Sequence, residues 1–223
     1  MTSPSASRVL IVFAQAAEAA ASLRRLQAEP VKGESIHVWS EGEVPCLYRF
    51  ERGWIAISSM GLHAAQMSVA RYSHDCDEVW NLGLAGALND KLPIGSLLSI
   101  GSVGKYIPVP PESFDALTQE CLAFTIPPFN LEKEVGCLIS SDFPVHHLEH
   151  RACLAKKWDL VDMEGYGVAY ASQHLKKKCR IWKIVSDFAS PRGRELIRKH
   201  KSELSEQIAE SILISLTKEH FSR

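Results

Sequence analysis

Two apolar runs in this chain end in acids. Leu160 and Val161 lead into Asp162-Met163-Glu164-Gly165, which opens an Ala/Gly-rich segment of helical composition, and Ile184-Val185-Ser186 leads into Asp187-Phe188-Ala189. In each, a buried strand delivers a carboxylate to the place where the strand stops. Open α/β sheets bind ligands beyond the carboxyl ends of their strands, so Glu164 and Asp187 stand where a substrate is expected. The bland reading of both acids is a helix N-cap or first-turn carboxylate favoured by the helix dipole. Strands alternating with helices along the chain predict an α/β fold, a three-layer α/β/α sandwich with a central mixed twisted sheet.

The 223 residues suit one domain, read as residues 8–223 after a polar, disordered Met1 to Ser7. A formal charge of −1 gives no field of one sign, which argues against nucleic acid or a membrane surface as a partner. No run approaches membrane-spanning length. The six cysteines are scattered without a CxxC pair, as expected of a cytoplasmic protein with reduced thiols. Arg8, the run Val9 to Ala14 and Ala14-Gln15-Ala16 resemble a secretory leader, but one charge and a short run fit a first core strand better.

From that strand the pattern continues with a helix over Ala16 to Gln27 and short strands at Ile36 to Ser40, Leu47 to Glu51 and Trp54 to Ser58, an antiparallel or mixed part of the sheet. A helix from His63 to His74 leads to the strand Glu78 to Leu82, which ends in Gly83-Leu84-Ala85-Gly86-Ala87, where glycine lets backbone approach a ligand. Pro93-Ile94-Gly95 starts a strand pair through Val103. Five prolines between Tyr106 and Phe129 predict a long connection with at most a short helix at Phe114 to Phe124. Val135 to Ser141 is strand and His146 to Lys157 helix. Trp158 to Val161 leads to the helix Glu164 to Leu175, whose Gly165, Gly167, Ala169 and Ala171 permit close packing. The strand Arg180 to Ser186 precedes a helix from Gly193 to Lys218 with Leu196, His200, Leu204, Ile208 and Ile212 on one face.

The motifs Val161-Asp162-Met163-Glu164-Gly165, Asn81-Leu82-Gly83-Leu84-Ala85-Gly86-Ala87-Leu88 with Ile94-Gly95-Ser96, and Val185-Ser186-Asp187-Phe188-Ala189 together resemble the purine nucleoside phosphorylase superfamily. The branch they resemble is that of methylthioadenosine/S-adenosylhomocysteine nucleosidases and futalosine hydrolases. That resemblance implies that Glu18 binds the attacking water, although its neighbours Ala16 and Ala17 replace the family's acids. It implies that Asp187 protonates the purine and that Met163 and Glu164 contact the ribose, Glu164 through its hydroxyls. Further substrate contacts are implied at Met60 within Ser59-Met60-Gly61, at Ala85 and Gly86, at Phe143 within Ser141-Asp142-Phe143, and at Ser186. No metal or organic cofactor is implied, and a homodimer is.

The chemistry accounts for these residue types. Cleaving a purine N-ribosidic bond passes through an oxocarbenium-like sugar, and the base leaves poorly unless protonated. The departures bear on nucleophile and substrate. Phe13-Ala14-Gln15-Ala16-Ala17 lacks the cation of a phosphate loop, and Arg24 and Arg25 lie too far along the helix to replace it, so hydrolysis is favoured over phosphorolysis. Gln15 in place of an apolar residue, Lys183 in place of an arginine and a shorter Tyr106 to Phe129 region lean toward futalosine or aminodeoxyfutalosine, of menaquinone synthesis, over methylthioadenosine or S-adenosylhomocysteine. His63, Lys105 and Arg192 are candidate partners for the carboxylate of such a substrate. The rivals are a phosphate-dependent phosphorylase and a non-catalytic nucleoside-binding protein. His146, His147 and His150 form a polar helix face more readily than a zinc site, and Lys176-Lys177-Lys178 a solvated helix end.

Overall fold

The structure is a computed structural model that describes residues 7–38, 42–106, 124–125, 135–145 and 147–221. Its strands are β1 (Val9–Phe13), β2 (Glu29–Pro30), β3 (Ser35–Val38), β4 (Gly42–Pro45), β5 (Leu47–Phe50), β6 (Gly53–Ile57), β7 (Glu78–Ala87), β8 (Leu97–Tyr106), β9 (Phe124–Thr125), β10 (Val135–Ser141), β11 (Leu160–Asp162) and β12 (Lys178–Asp187). Its helices are α1 (Ala16–Arg25), α2 (Leu62–Tyr72), α3 (Leu148–Leu154), α4 (Gly165–His174) and α5 (Gly193–Phe221).

The main sheet runs β11-β10-β8-β12-β7-β1-β6-β5-β2, parallel from β6 through β12 and antiparallel at β5–β6 and β12–β8. It is mixed, as expected. β11 also pairs antiparallel with β7 through Leu160 and Val161, so one end of the sheet closes on itself. Helices α1 and α5 pack together on one face, and α2 and α4 on the other. The first face is filled by Phe13, Ile55, Leu82 and Ile184 around an edge-to-face pair of Trp80 and Trp182, whose ring centroids lie 5.2 Å apart. Aromatic pairs of this geometry add to the apolar burial that holds the layer.

Several elements differ from the sequence reading. β7 continues through Gly83 to Ala87, because β12 pairs with it as far as Gly86 and β11 pairs with Gly86 and Ala87. The stretch from Leu97 is one long strand, β8, in place of a strand pair. β3 pairs with β4 in a separate two-stranded sheet and does not join the main one. The last helix buries Leu204, Ile208, Ile212 and Leu216, while Leu196 and His200 are half-buried. The expected disorder at residues 1–6, most of the proline-rich connection with its short helix, and His146 lie outside the described residues.

Close packing between α2 and α4 depends on Gly167, where a Cβ would stand 2.2 Å from the Leu62 carbonyl oxygen. Any side chain there would push the start of α2 away from α4. That start carries the segment Ser58 to Leu62, in which Ser59 and Gly61 have φ of 69° and 106°. Gly61 is at home in the left-handed region and Ser59 is strained there.

Candidate active site

The carboxyl ends of β7, β11 and β12 bring together charges that the sequence scatters. Glu18, in the first turn of α1, turns its carboxyl onto β7, where the Leu84 amide faces it and Oε2 comes within 2.8 Å of the point at which Gly83 would carry a Cβ. Glycine at 83 leaves room for the Glu18 carboxyl in this position. Lys183, opposite Gly83 in the parallel register of β12, sets its Nζ 3.6 Å from the same point.

Lys183 is a charged residue inside the apolar run Ile181 to Val185, and it is 1 % exposed. Its Nζ lies 2.8 Å from Asp162 Oδ2. Asp162 also accepts from the Gly165 amide at 2.9 Å and from the Ser140 hydroxyl, and Ser140 Oγ in turn accepts from the Tyr166 amide at 2.9 Å. Asp162 and Ser140 thus satisfy the first amides of α4, the usual work of an N-cap.

Glu164 occupies the N-cap position of α4 in the backbone, yet its side chain caps nothing there. It reaches across to the start of α2 and accepts from the Gly61 amide at 3.1 Å, while Asp142 accepts from the neighbouring Leu62 amide at 3.2 Å. Two acids from other elements hold the amino end of α2, where donors point outward and negative charge is favoured. The N-cap reading of Glu164 therefore fails, and Asp162 takes that place.

Three carboxyls, Glu18, Asp162 and Glu164, surround one ammonium, Lys183. Burial pushes Glu18 up to about 7, opposed by Lys183 and Lys201, and pushes Glu164 up to about 8, reinforced by the charge of Asp162. Desolvation raises a carboxyl in this way because the charged form loses water it cannot replace. Burial thus brings Glu18 toward neutrality and lifts Glu164 above its ordinary carboxyl range.

Asp187 sits past a bulge in β12, where the register with β7 shifts between Val185 and Asp187. Bulges of this kind re-aim a side chain at a strand end. Its Oδ2 accepts from Ser186 Oγ at 2.8 Å and its Oδ1 from the Ala189 amide at 2.7 Å. Asp187 pairs with Gly86 and Lys183 with Gly83, so the two residues stand opposite positions of β7 that are three residues, roughly 10 Å, apart.

The remaining expected contacts divide. Ala85 is buried, Met163 half-buried, and Met60 and Phe143 are 58 % and 64 % exposed. Gln15 Nε2 approaches Met60 Sδ at 3.1 Å, and the Phe143 amide donates to Ser141 Oγ at 3.2 Å. At Gly86 an added Cβ would stand 3.1 Å from Ala189, a tight approach of protein on protein that favours glycine there. Arg24 and Arg25 pair with Glu206 on α5. His63 and Arg192 are exposed and Lys105 half-buried.

His150 Nδ1 meets the Tyr106 hydroxyl at 3.2 Å, and the His147 and His150 rings lie 5.3 Å apart. Among the described residues no group of three or more His, Cys, Asp or Glu could hold a metal ion. Sequence reasoning noted Lys183 only as a replacement and missed the anchoring roles of Asp162 and Ser140. The available signal was a lysine in the middle of a buried strand, a residue almost never fully buried unless paired.

Comparison with known proteins adds relatives in fold. With a Helicobacter pylori 5′-methylthioadenosine/S-adenosylhomocysteine nucleosidase mutant holding 5′-methylthioadenosine, the TM-score is 0.77 at 17% identity, covering 95% of this chain and 99% of that one. The native futalosine hydrolase of the same organism gives 0.75 at 19% identity, covering 97% and 100%. The Chlamydia trachomatis nucleosidase gives 0.73 at 22% identity, covering 96% and 99%. No curated protein sequence matches the chain. The profile of the phosphorylase superfamily matches residues 9–217, and on that match the chain belongs to the phosphorylase superfamily.

Proposed function

We propose that this chain is a nucleosidase, an N-ribosyl hydrolase of 5′-substituted purine nucleosides. The observation that carries the reading is the buried group of Glu18, Lys183, Asp162 and Glu164 at the carboxyl ends of the strands, one acid of which titrates near neutrality. A general base works best when its pKa lies near the operating pH. In the reaction the C1′–N9 bond breaks toward the purine, which takes a proton from Asp187 on its imidazole ring. Water adds to C1′ and gives its proton to Glu18. Glu164, protonated and fixed by the Gly61 amide, holds the sugar hydroxyls. Met163, Ala85 and Ser186 line the sugar and base, with Met60 and Phe143 at the mouth.

Water is favoured over phosphate as nucleophile on electrostatic grounds. A phosphate dianion beside Glu18 would meet the charges of Asp162 and of ionised Glu18, and the lysine there is already paired with Asp162. Like charges in a site this dry repel strongly. The preferred substrate is futalosine or aminodeoxyfutalosine. The polar Gln15 amide beside Met60 supports a 5′ group with hydrogen-bond acceptors. The exposure of Met60 and Phe143 supports a homodimer in which a partner chain covers the mouth. No described helix is long and apolar enough to cross a membrane, and the proposed setting is the cytoplasm.

The test is chromatographic detection of free base from methylthioadenosine, S-adenosylhomocysteine, aminodeoxyfutalosine and futalosine, each with and without phosphate. Release without phosphate, fastest from the last two, is expected. Release only with phosphate, accompanied by the sugar 1-phosphate, would make the chain a phosphorylase. Binding of a nucleoside without release would make it a binding protein.

A further inference from the structure

The C-terminal helix α5 touches both acids of the proposed mechanism, from the face of the sheet opposite α2 and α4. Gly193 is its first residue, and a Cβ there would stand 2.7 Å from Asp187 Oδ1. Three turns on, Ser205 is buried and bridges to α1. Its hydroxyl donates to the Glu18 carbonyl oxygen at 2.9 Å and accepts from the Ala21 amide at 3.2 Å. Lys201 lies one turn before Ser205, so it shares the helix face that meets α1 at Glu18. It is half-buried there.

The spacing matches the site. Gly193 and Lys201 are eight residues apart, about 12 Å along a helix at 1.5 Å per residue. Along β7 the positions of Asp187 and Lys183 are separated by a similar roughly 10 Å. We infer that α5 is a positioning element for the reaction, with Gly193 leaving room for the Asp187 carboxyl, and with Ser205 and Lys201 fixing the height and charge environment of Glu18. This rests on the hydrolase reading above. It assigns α5 no contact with substrate.

Electrostatics supports the geometry. The charged groups bearing on Glu18 are Lys183 from β12, Lys201 from α5, and Asp162 and Glu164 from the junction of β11 and α4. The Leu84 amide of β7 also faces it. Lys183 is committed to Asp162 at 2.8 Å, so Lys201 is the cation whose removal changes Glu18 while sparing the buried ion pair. Removing Lys201 raises the pKa of Glu18, because a favourable charge is lost and burial remains.

The experiment uses Lys201→Met, Lys201→Arg, Ser205→Ala and Gly193→Ala in the full chain. Glu206→Gln is the control, since it breaks the α1–α5 ion pairs with Arg24 and Arg25 without touching Glu18. Carboxyl 13C titration of Glu18, assigned by its absence in Glu18→Gln, reads its protonation whether or not the protein turns anything over. The midpoint is expected to rise in Lys201→Met and to return in Lys201→Arg. In turnover assays, Ser205→Ala and Gly193→Ala are expected to lose on the order of ten-fold or more in kcat with KM little changed, as misplaced groups do. Glu206→Gln should keep wild-type kcat. An unchanged Glu18 midpoint in Lys201→Met overturns the inference, as does kcat in Ser205→Ala and Gly193→Ala equal to that of the control. An inactive wild type with a shifted midpoint would instead overturn the hydrolase reading and leave the Lys201–Glu18 coupling standing.

Discussion

Strands β7 and β12 carry a buried charge cluster at each end, and the two clusters are built differently. At the amino end, Glu78 receives Arg180 on both oxygens, at 2.8 and 3.1 Å, and the Trp80 indole N–H at 3.1 Å. The carboxylate meets one planar, bidentate cation, a geometry that suits guanidinium, with Lys178 Nζ farther off at 3.9 Å. At the carboxyl end, Glu18, Asp162 and Glu164 share the buried ammonium of Lys183, with half-buried Lys201 of α5 acting on Glu18. The first cluster is well supplied with positive charge and clamps two strands. The second is short of positive charge, and two of its carboxyls are raised into the neutral range. An excess of buried acid serves stability poorly, which is why such a group is a candidate for chemistry.

The largest effect should come from the acids at the chemical end. Asp187→Asn and Glu18→Gln are each expected to lower base release by roughly 10²–10⁴-fold, the usual contribution of a general acid or base. Circular dichroism and Tm should stay near wild type, because both replacements keep an oxygen acceptor. Near-normal turnover in either would remove that residue from the mechanism.

Next is Lys183→Met, which strands Asp162 without its cation in a site where both side chains are 1 % exposed. A loss of about 3–5 kcal/mol in urea unfolding is expected. At the other end of the same strands, Glu78→Gln should cost less, about 1–3 kcal/mol, because Arg180 is 21 % exposed and can recover water. Its kcat should not move. A Glu78→Gln variant with normal stability and poor turnover would reverse the roles assigned to the two clusters.

The pH dependence of stability gives a smaller effect with a definite sign. Glu18 and Glu164 bind protons more tightly folded than unfolded, their values rising from 4.5 to about 7 and about 8. Their contribution is therefore complete below about pH 4.5 and is lost as pH rises through about 7 and 8. Glu164→Gln should flatten the decline in Tm between pH 5 and 8. A slope equal to that of wild type would mean that Glu164 is ionised in the folded protein.

Much of this was legible in the sequence. The strand runs, the small residues of α4 and the acids at 18, 164 and 187 mark the sheet, the helix packing and the edge at which charge gathers. The closure of the sheet through β11 was not legible, since a three-residue strand gives no sign of a second partner. Gly83 and Gly86 read as places for close approach, and the fold sets Glu18 and Ala189 beside them. Local sequence reports backbone freedom and leaves open what fills the room. Lys183 was visible as a charge in an apolar strand, but its partner Asp162 lies 21 positions earlier in the chain and only the fold joins them. Ser205 and Lys201 on α5 look like ordinary polar helix residues until α1 is packed against them.

The account is tested most directly by kcat/KM against pH from 5 to 9, for wild type and Glu78→Gln, with the best nucleoside found. This ratio reports the free enzyme's essential groups. An acidic limb near pH 7, the position of Glu18, is predicted in both proteins. A profile flat from pH 5 to 9, or a limb that moves with Glu78→Gln, would contradict the assignment of chemistry to the carboxyl-end cluster.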